Sequence, residues 1–126
     1  MQTRLTVATK QKRQVIDITE QISKHLPAGE GMLTVFVAHT TAAITTADLD
    51  PGTDLDLLDA LKALLPDLPW RHPHNPAHAP DHLLSSIVGP AVSVPFQNGQ
   101  LSLGTWQRII LIEFDGPRER TIVVNA

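Results

Sequence analysis

The chain has 126 residues, 42% hydrophobic and 18% charged, with 10 Lys+Arg against 13 Asp+Glu and a net charge of -3. That length suits one domain over residues 1–126, and the charge balance argues against a disordered chain and against a general binder of nucleic acid or anionic membrane. The absence of cysteine removes disulfides, thiolate catalysis, iron–sulfur clusters and Cys-type zinc sites, and fits a reducing compartment.

Met1 to Val7 reads as a half-buried strand, with Leu5 and Val7 alternating against Thr6 and Ala8. It lacks the apolar core of a signal peptide, and no run approaches the roughly 20 apolar residues of a membrane span, so the expected location is cytoplasmic. After a polar turn at Lys10–Arg13, Ile16 and Ile18 resume the alternation. Ile18, Ile22 and Leu26 then shift to helical spacing, which Pro27 and Gly29 stop. Met32 to His39 is continuously apolar and β-branched, the pattern of a buried central strand with His39 closing it. The small, hydroxyl-rich stretch His39–Thr46 shows no helical stripe.

Asp50-Pro51 predicts a helix start, with Asp50 as N-cap and Pro51 at the first helical position. Its apolar face would be Leu55, Leu58, Leu61 and Leu65, ending at Pro66. Pro66 to Pro80 carries prolines at 66, 69, 73, 76 and 80, too many for helix or central strand. A short helix with His82, Leu83, Leu84 and Ile87 follows and closes at Gly89-Pro90. The remainder reads as β: Val92, Val94 and Phe96, an Asn98-Gly99 hairpin turn, Leu101 and Leu103, then strands over Gln107–Asp115 and Thr121–Asn125.

Four of the six histidines, His72, His74, His78 and His82, lie in or next to the proline-rich loop. Without cysteine, a zinc-like site must be built from imidazole and carboxylate, and this cluster could supply it; solvated loop histidines are the alternative. His78 and His82 are four apart, but Pro80 biases Ala79 away from the helical region, so His78 is expected to precede the helix. His39, at a strand end, is a second candidate. Glu113 is a third, since period two places it on the face of Ile109 and Leu111. An acid there must be paired, protonated or bound to a cation. It could ligate a metal, orient a histidine or act as base, or it could pair internally with Arg108 or Arg118. Thr105 and Gln107 could hold a substrate oxygen, with Trp106 walling a pocket, and Thr40, Thr41, Ser85 and Ser86 are further hydroxyl donors. No Walker loop, dinucleotide glycine fingerprint, GxSxG or HExxH is present.

Taken together, His39-Thr40-Thr41-Ala42-Ala43, Trp70-x-His72, Pro80-Asp81-His82-Leu83-x-Ser85-Ser86-x-x-Gly89 and Gly104-Thr105-Trp106-Gln107 with Glu113 resemble the YjbQ family, in the family's order and over essentially the whole chain. Members are often labelled secondary thiamine-phosphate synthases on weak activity. The resemblance implies an α+β fold, a mixed or antiparallel sheet curled into a half-barrel or sandwich with a few flanking helices. It also implies a homotrimer, and a site with His39, His72 and His82 around a divalent, zinc-like metal ion or an anion. His78 is a further ligand candidate, standing where relatives usually carry Asn or Asp. Thr46-Ala47-Asp48-Leu49 also departs from the family's Asn-Glu-Asn.

The expected function is a metal-assisted enzyme acting on a small phosphorylated molecule, as in joining a pyrimidine diphosphate to a thiazole phosphate. Glu113 and His39 would be catalytic, and Thr105, Gln107 and Thr40 would contact substrate. The alternatives are a metal-dependent hydrolase, a non-catalytic metal- or metabolite-binding trimer, and a His loop that merely packs an interface.

Overall fold

Alternation along the strands sorts side chains onto two faces, and here it builds two antiparallel sheets. The structure, a computed structural model, describes residues 2–126, so the expectation for Met1 lies outside the described residues. The elements run β1 (Gln2–Ala8), β2 (Gln14–Asp17), α1 (Thr19–Ser23), β3 (Glu30–Val37), β4 (Ala42–Ala47), α2 (Thr53–Leu64), a single 3-10 turn (Pro76–His78), α3 (Ala79–Val88), β5 (Ala91–Gln97), β6 (Gln100–Leu101), β7 (Arg108–Glu113) and β8 (Glu119–Asn125). The larger sheet has the order β1-β8-β3-β5-β6 and the smaller β2-β7-β4. This is the expected α+β fold, a curled antiparallel half-barrel with few helices. Among the described residues no helix is long and apolar enough to cross a membrane.

Registers such as Leu5↔Ile122, Val35↔Val124 and Ile44↔Leu111 bring same-face apolar residues side by side across each sheet. Leu33, Val35, Val37, Val94, Phe96, Ile122 and Val124 of the larger sheet meet Ile44, Ile109 and Leu111 of the smaller one in the main core. The outer face of the smaller sheet (Ala43, Ile110, Ile112 and Phe114) is covered by Leu84 of α3 and by Leu57, Leu58 and Leu61 of α2. Strand β7 is therefore buried on both faces, which is why it reads as an unbroken apolar run.

Several expectations need correction. β3 is central but not buried on both sides: Met32 and Phe36 are 55% and 40% exposed, and the strand ends two residues before His39. Asp50 does not cap α2. Asp50-Pro51-Gly52 forms a turn closed by the Thr53 N–H donating to the Asp50 carbonyl, and the helix begins at Thr53 behind Gly52, whose φ of 91° favours glycine. Leu58, Leu61 and Leu65 pack inward as expected, joined by Leu57, whereas Leu55 is 62% exposed. Ala79 is helical (φ -56°, ψ -45°) despite preceding Pro80, and His78 still lies before α3, as its N-cap. The Asn98-Gly99 hairpin forms as read, with both residues at positive φ.

The two leucines make a direct check. Leu111→Ala, in the doubly covered strand, is expected to lower unfolding free energy by about 2–5 kcal/mol. Leu55→Ala should stay within about 0.5 kcal/mol of wild type. Urea unfolding of the two variants measures both; a core-sized loss at Leu55 would contradict the helix register.

Candidate functional site

The last residue of β7 is Glu113, and its side chain is fully buried. It is held by Arg120 of β8, itself fully buried: Nε donates to Oε2 at 2.7 Å and Nη2 donates to Oε1. The Asp115 N–H adds a hydrogen bond to Oε1 at 3.0 Å. Burial alone would push the Glu113 carboxyl up, but hydrogen bonds from Arg120, Asp115 and Thr9 and the Arg120 charge hold it below the usual carboxylate range. Glu113 is thus ionised and saturated, the geometry of an orienting group and not of a base. Its partner is neither Arg108, which pairs with Asp17 and Glu20, nor Arg118, which pairs with Asp115. Gly116 presses on this pair so closely that an added Cβ would meet the Gln11 carbonyl oxygen at 2.2 Å and Glu113 Cγ at 2.9 Å.

Arg120 reaches further. Its Nη2 also donates to the Thr41 carbonyl at 3.1 Å and to Thr41 Oγ1 at 2.8 Å. Since Oγ1 accepts from Arg120, its own proton is free for Nδ1 of His39, 3.0 Å away, and the Thr41 N–H donates to the same Nδ1 at 3.2 Å. A ring nitrogen that accepts an N–H carries no proton, so neutral His39 is the Nε2–H tautomer. Burial, followed by the Arg120 and Arg118 charges, pushes its pKa below the ordinary histidine value against the opposing pull of Glu113; His82 also lowers it.

α3 supplies His82, and the proline-stiffened loop lays His72 against it, the rings stacked at 4.8 Å between centroids and 15° between planes. His74 meets His72 edge-on at 6.0 Å. The Asn75 N–H donates to His72 Nδ1 over a long 3.4 Å, which favours the Nε2–H tautomer there too. His78 precedes α3 as its N-cap, near enough to act electrostatically on Asp115. Buried Asp81 anchors the region: Lys12 Nζ and Arg13 Nη2 approach its two oxygens at 2.7 and 2.9 Å, and Lys12 also reaches Asp115 at 2.8 Å.

The other expected contacts lie elsewhere. Gln107 precedes β7 whereas Glu113 ends it, so at about 3.3 Å per residue roughly 20 Å separates them. Gln107 donates to Thr46 Oγ1 at 3.0 Å and accepts from the Gly104 N–H at 3.0 Å. Thr105 and Trp106 line a shallow cleft of about 440 Å³ with Thr46, Asp48 and Gln107. Thr40 is exposed beside His39. A further cavity of about 240 Å³ between Trp70, Leu65, Lys62 and Leu84 includes Pro80, which shares a face of α3 with Leu84 and not with His82.

The donor set does not fit a three-histidine metal centre. A metal-bound Nε2 needs the proton on Nδ1, where His39 and His72 each accept a backbone N–H. Among the described residues no group of three or more His, Asp or Glu is arranged to hold a metal ion.

The UPF0047 YjbQ-like family model matches residues 3–126. The chain belongs to the YjbQ family. A UPF0047 protein of Archaeoglobus fulgidus is 37% identical over 123 residues, covering 97% of this chain and 98% of that protein. One from Mycobacterium bovis is 41% identical over 112 residues, covering 85% and 87%. The crystal structure of a hypothetical protein from Aeropyrum pernix superimposes with a TM-score of 0.90 at 36% identity, covering 99% of this chain and 96% of that one. A family structure from Clostridium acetobutylicum gives 0.88 at 35%, covering 98% of each.

Within this member of the family, Arg120 is the residue that sequence reasoning missed. Its signal was available: a lone Arg at an inward position of the β8 strand, flanked by Ile122 and Val124 at period two, demands a buried acid, and Glu113 was the unpaired one. Removing either partner alone should strand a buried charge and cost about 3–5 kcal/mol, while the double variant Glu113→Leu/Arg120→Met should recover much of that loss. Because the folded-state pKa of Glu113 is depressed, its contribution is present above the ordinary Glu range and lost as pH falls through the folded value. Acid unfolding curves of Arg120→Met and the double variant test both statements. Equal losses in the two would refute the pairing.

Proposed function

We propose that the His39 end of the molecule binds the phosphate or pyrophosphate group of a small phosphorylated molecule, and that the protein is an enzyme of the transferase type in which such a group departs. The observation that supports this most is the chain Glu113–Arg120–Thr41–His39, which commits His39 to a neutral ring with its proton on Nε2. A neutral imidazole N–H is a hydrogen-bond donor to a phosphate oxygen and remains one across neutral pH. His72 adds a second donor of the same tautomer, and Arg118 and Arg120 add positive potential. Nη1 of Arg120, buried without a hydrogen-bond partner among the described residues, leaves part of that charge unneutralised by direct contacts.

In this reading Glu113 and Arg120 are positioning residues and His39 touches the substrate. The thiamine-phosphate-synthase label of the family resemblance is compatible, since pyrophosphate leaves in that reaction. A non-catalytic metabolite-binding protein would use the same donors without turnover.

Isothermal titration with inorganic pyrophosphate, together with elemental analysis of untagged protein, tests the reading. Wild type should bind pyrophosphate without added metal, and His39→Ala should weaken binding at least tenfold. Thr41→Val should weaken it too and move the His39 ring nitrogen resonances toward a mixed tautomer. Affinity should hold as pH is lowered through the ordinary histidine range, because His39 stays neutral there. On the stability side, an unfolded His39 protonates before the folded one, so destabilisation sets in below the ordinary histidine pKa and levels off below the depressed one. Near-stoichiometric metal in wild type, lost in a folded His82→Ala variant, would instead favour a metal-assisted site. Absence of pyrophosphate binding with and without metal would sink the phosphate reading.

A further inference from the structure

The cavity of about 240 Å³ lies where the end of α2, the start of the proline-rich loop and the first turns of α3 meet. On α3 it touches Pro80 and Leu84, each two residues from His82. At about 100° per residue, that spacing puts the histidine on the opposite side of the helix. The phosphate reading therefore leaves this cavity unused.

Its lining has two parts. Trp70, Leu65, Leu84, Pro66 and Pro80 form apolar walls, and Leu84 is only 1% exposed, so the floor reaches the apolar cluster on the outer face of the smaller sheet. Arg13, Lys62 and Asp67 complete it. A void left by imperfect packing is lined by apolar groups and stays dry. Three charged side chains beside an apolar wall suit a small molecule with an apolar body and a charged group.

The charges select the sign of that group. The Lys62 ammonium has no ion-pair partner among the described residues. Arg13 donates from Nη2 to Asp81, whose other oxygen is already held by Lys12, so positive charge is in excess there. Asp67, the one acid of the lining, pairs with neither Arg13 nor Lys62. Two cations, one of them a planar guanidinium with donors to spare, favour a carboxylate. The indole of Trp70 and the two proline rings favour a flat body beside them. The volume falls below the roughly 300 Å³ at which pockets for drug-sized ligands begin, which limits that body to one ring.

We infer that this cavity is a second ligand site, taking a single-ring aromatic carboxylate with its ring against Trp70 and its carboxylate between Arg13 and Lys62. Asp67 then favours a ring that carries a hydrogen-bond donor. The site is separate from the His39 end and does not rest on the phosphate reading.

The two tryptophans of the chain are Trp70 and Trp106, and Trp106 is 72% exposed in the cleft with Thr105 and Gln107. Trp106→Phe should therefore fold normally and leave Trp70 as the only indole. Titrating that variant with benzoate should give a saturable change in Trp70 fluorescence, with a midpoint on the order of 1 mM. Benzamide, of the same shape without the charge, should bind at least tenfold more weakly, by roughly the difference between a charge-assisted and a neutral hydrogen-bond pair. Lys62→Gln, at an exposed position, should weaken benzoate about three- to fivefold without changing the unfolding curve. In nitrogen-15 spectra benzoate should shift the Trp70 indole N–H and leave the His39 ring nitrogens in place.

No saturable change up to about 50 mM benzoate, or equal binding of benzoate and benzamide, would overturn the inference. So would displacement of benzoate by pyrophosphate with shifts at His39, because the acid would then sit on the histidine side. Benzoate binding at Trp70 in a protein that binds no pyrophosphate would leave the second site standing and sink the phosphate reading.

Discussion

The interaction on which the site depends is the ion pair between Glu113 and Arg120, both with fully buried side chains. A pair so placed gives up hydration on both partners and recovers it only through good geometry and further hydrogen bonds. Here two contacts join guanidinium and carboxylate, the Asp115 N–H takes one more acceptor site, and Thr41 takes the rest of Nη2. An apolar pair of similar volume could fill the same space at comparable stability. What the apolar pair could not do is hold Thr41 Oγ1 with its lone pair engaged and its proton aimed at His39. The pair is thus better understood as a device for orientation than for stability, reaching from a strand end in the core to an exposed imidazole.

The same logic explains the loop. Prolines at 66, 69, 73, 76 and 80 reduce the conformational freedom that the loop would otherwise lose on ordering. Asn75 caps the 3-10 turn through its side chain, accepting from the Ala77 N–H at 3.0 Å, while its own N–H engages His72. Asp81, clamped by Lys12 and Arg13, ties the start of α3 to the β1–β2 turn. Each of these local constraints helps set where the His72–His82 stack stands.

Much of this was legible in the chain, and the failures have identifiable causes. Strand positions followed from alternation, and the Asn98-Gly99 turn from its need for positive φ. The acid on the apolar face of β7 announced a buried partner. Arg108 and Arg118 were nearer to it in sequence, and the expected last strand began at Thr121, so Arg120, whose period-two relation to Ile122 and Val124 marked it as inward, was passed over. Helix α2 began late because Asp50-Pro51-Gly52 satisfies turn chemistry as well as cap chemistry, and only the positive φ at Gly52 separates the two. The metal expectation rested on residue types, and the hydrogen bonds to the His39 and His72 ring nitrogens, which the sequence does not reveal, are what bear on it. Thr105 and Gln107 were grouped with His39 because a motif list carries no distances.

The distance of Thr105 and Gln107 from His39 follows from the architecture. A strand covered on both faces has no exposed middle, so its functional side chains must gather at its two ends, and β7 is covered from Ile109 to Ile112 by two separate apolar clusters. Its partner β4 shares the constraint, with Ala42, Ala43 and Ile44 fully buried between His39 at one end and Thr46 at the other. Shortening the pair to bring the ends together would remove the apolar rows that hold the smaller sheet against the larger one and against α2 and α3. Lengthening a loop to carry Gln107 back across the sheet would expose backbone polar groups over an apolar face. A chain of this size therefore keeps two separate polar ends, and their separation is the direct consequence of the burial that makes the fold stable.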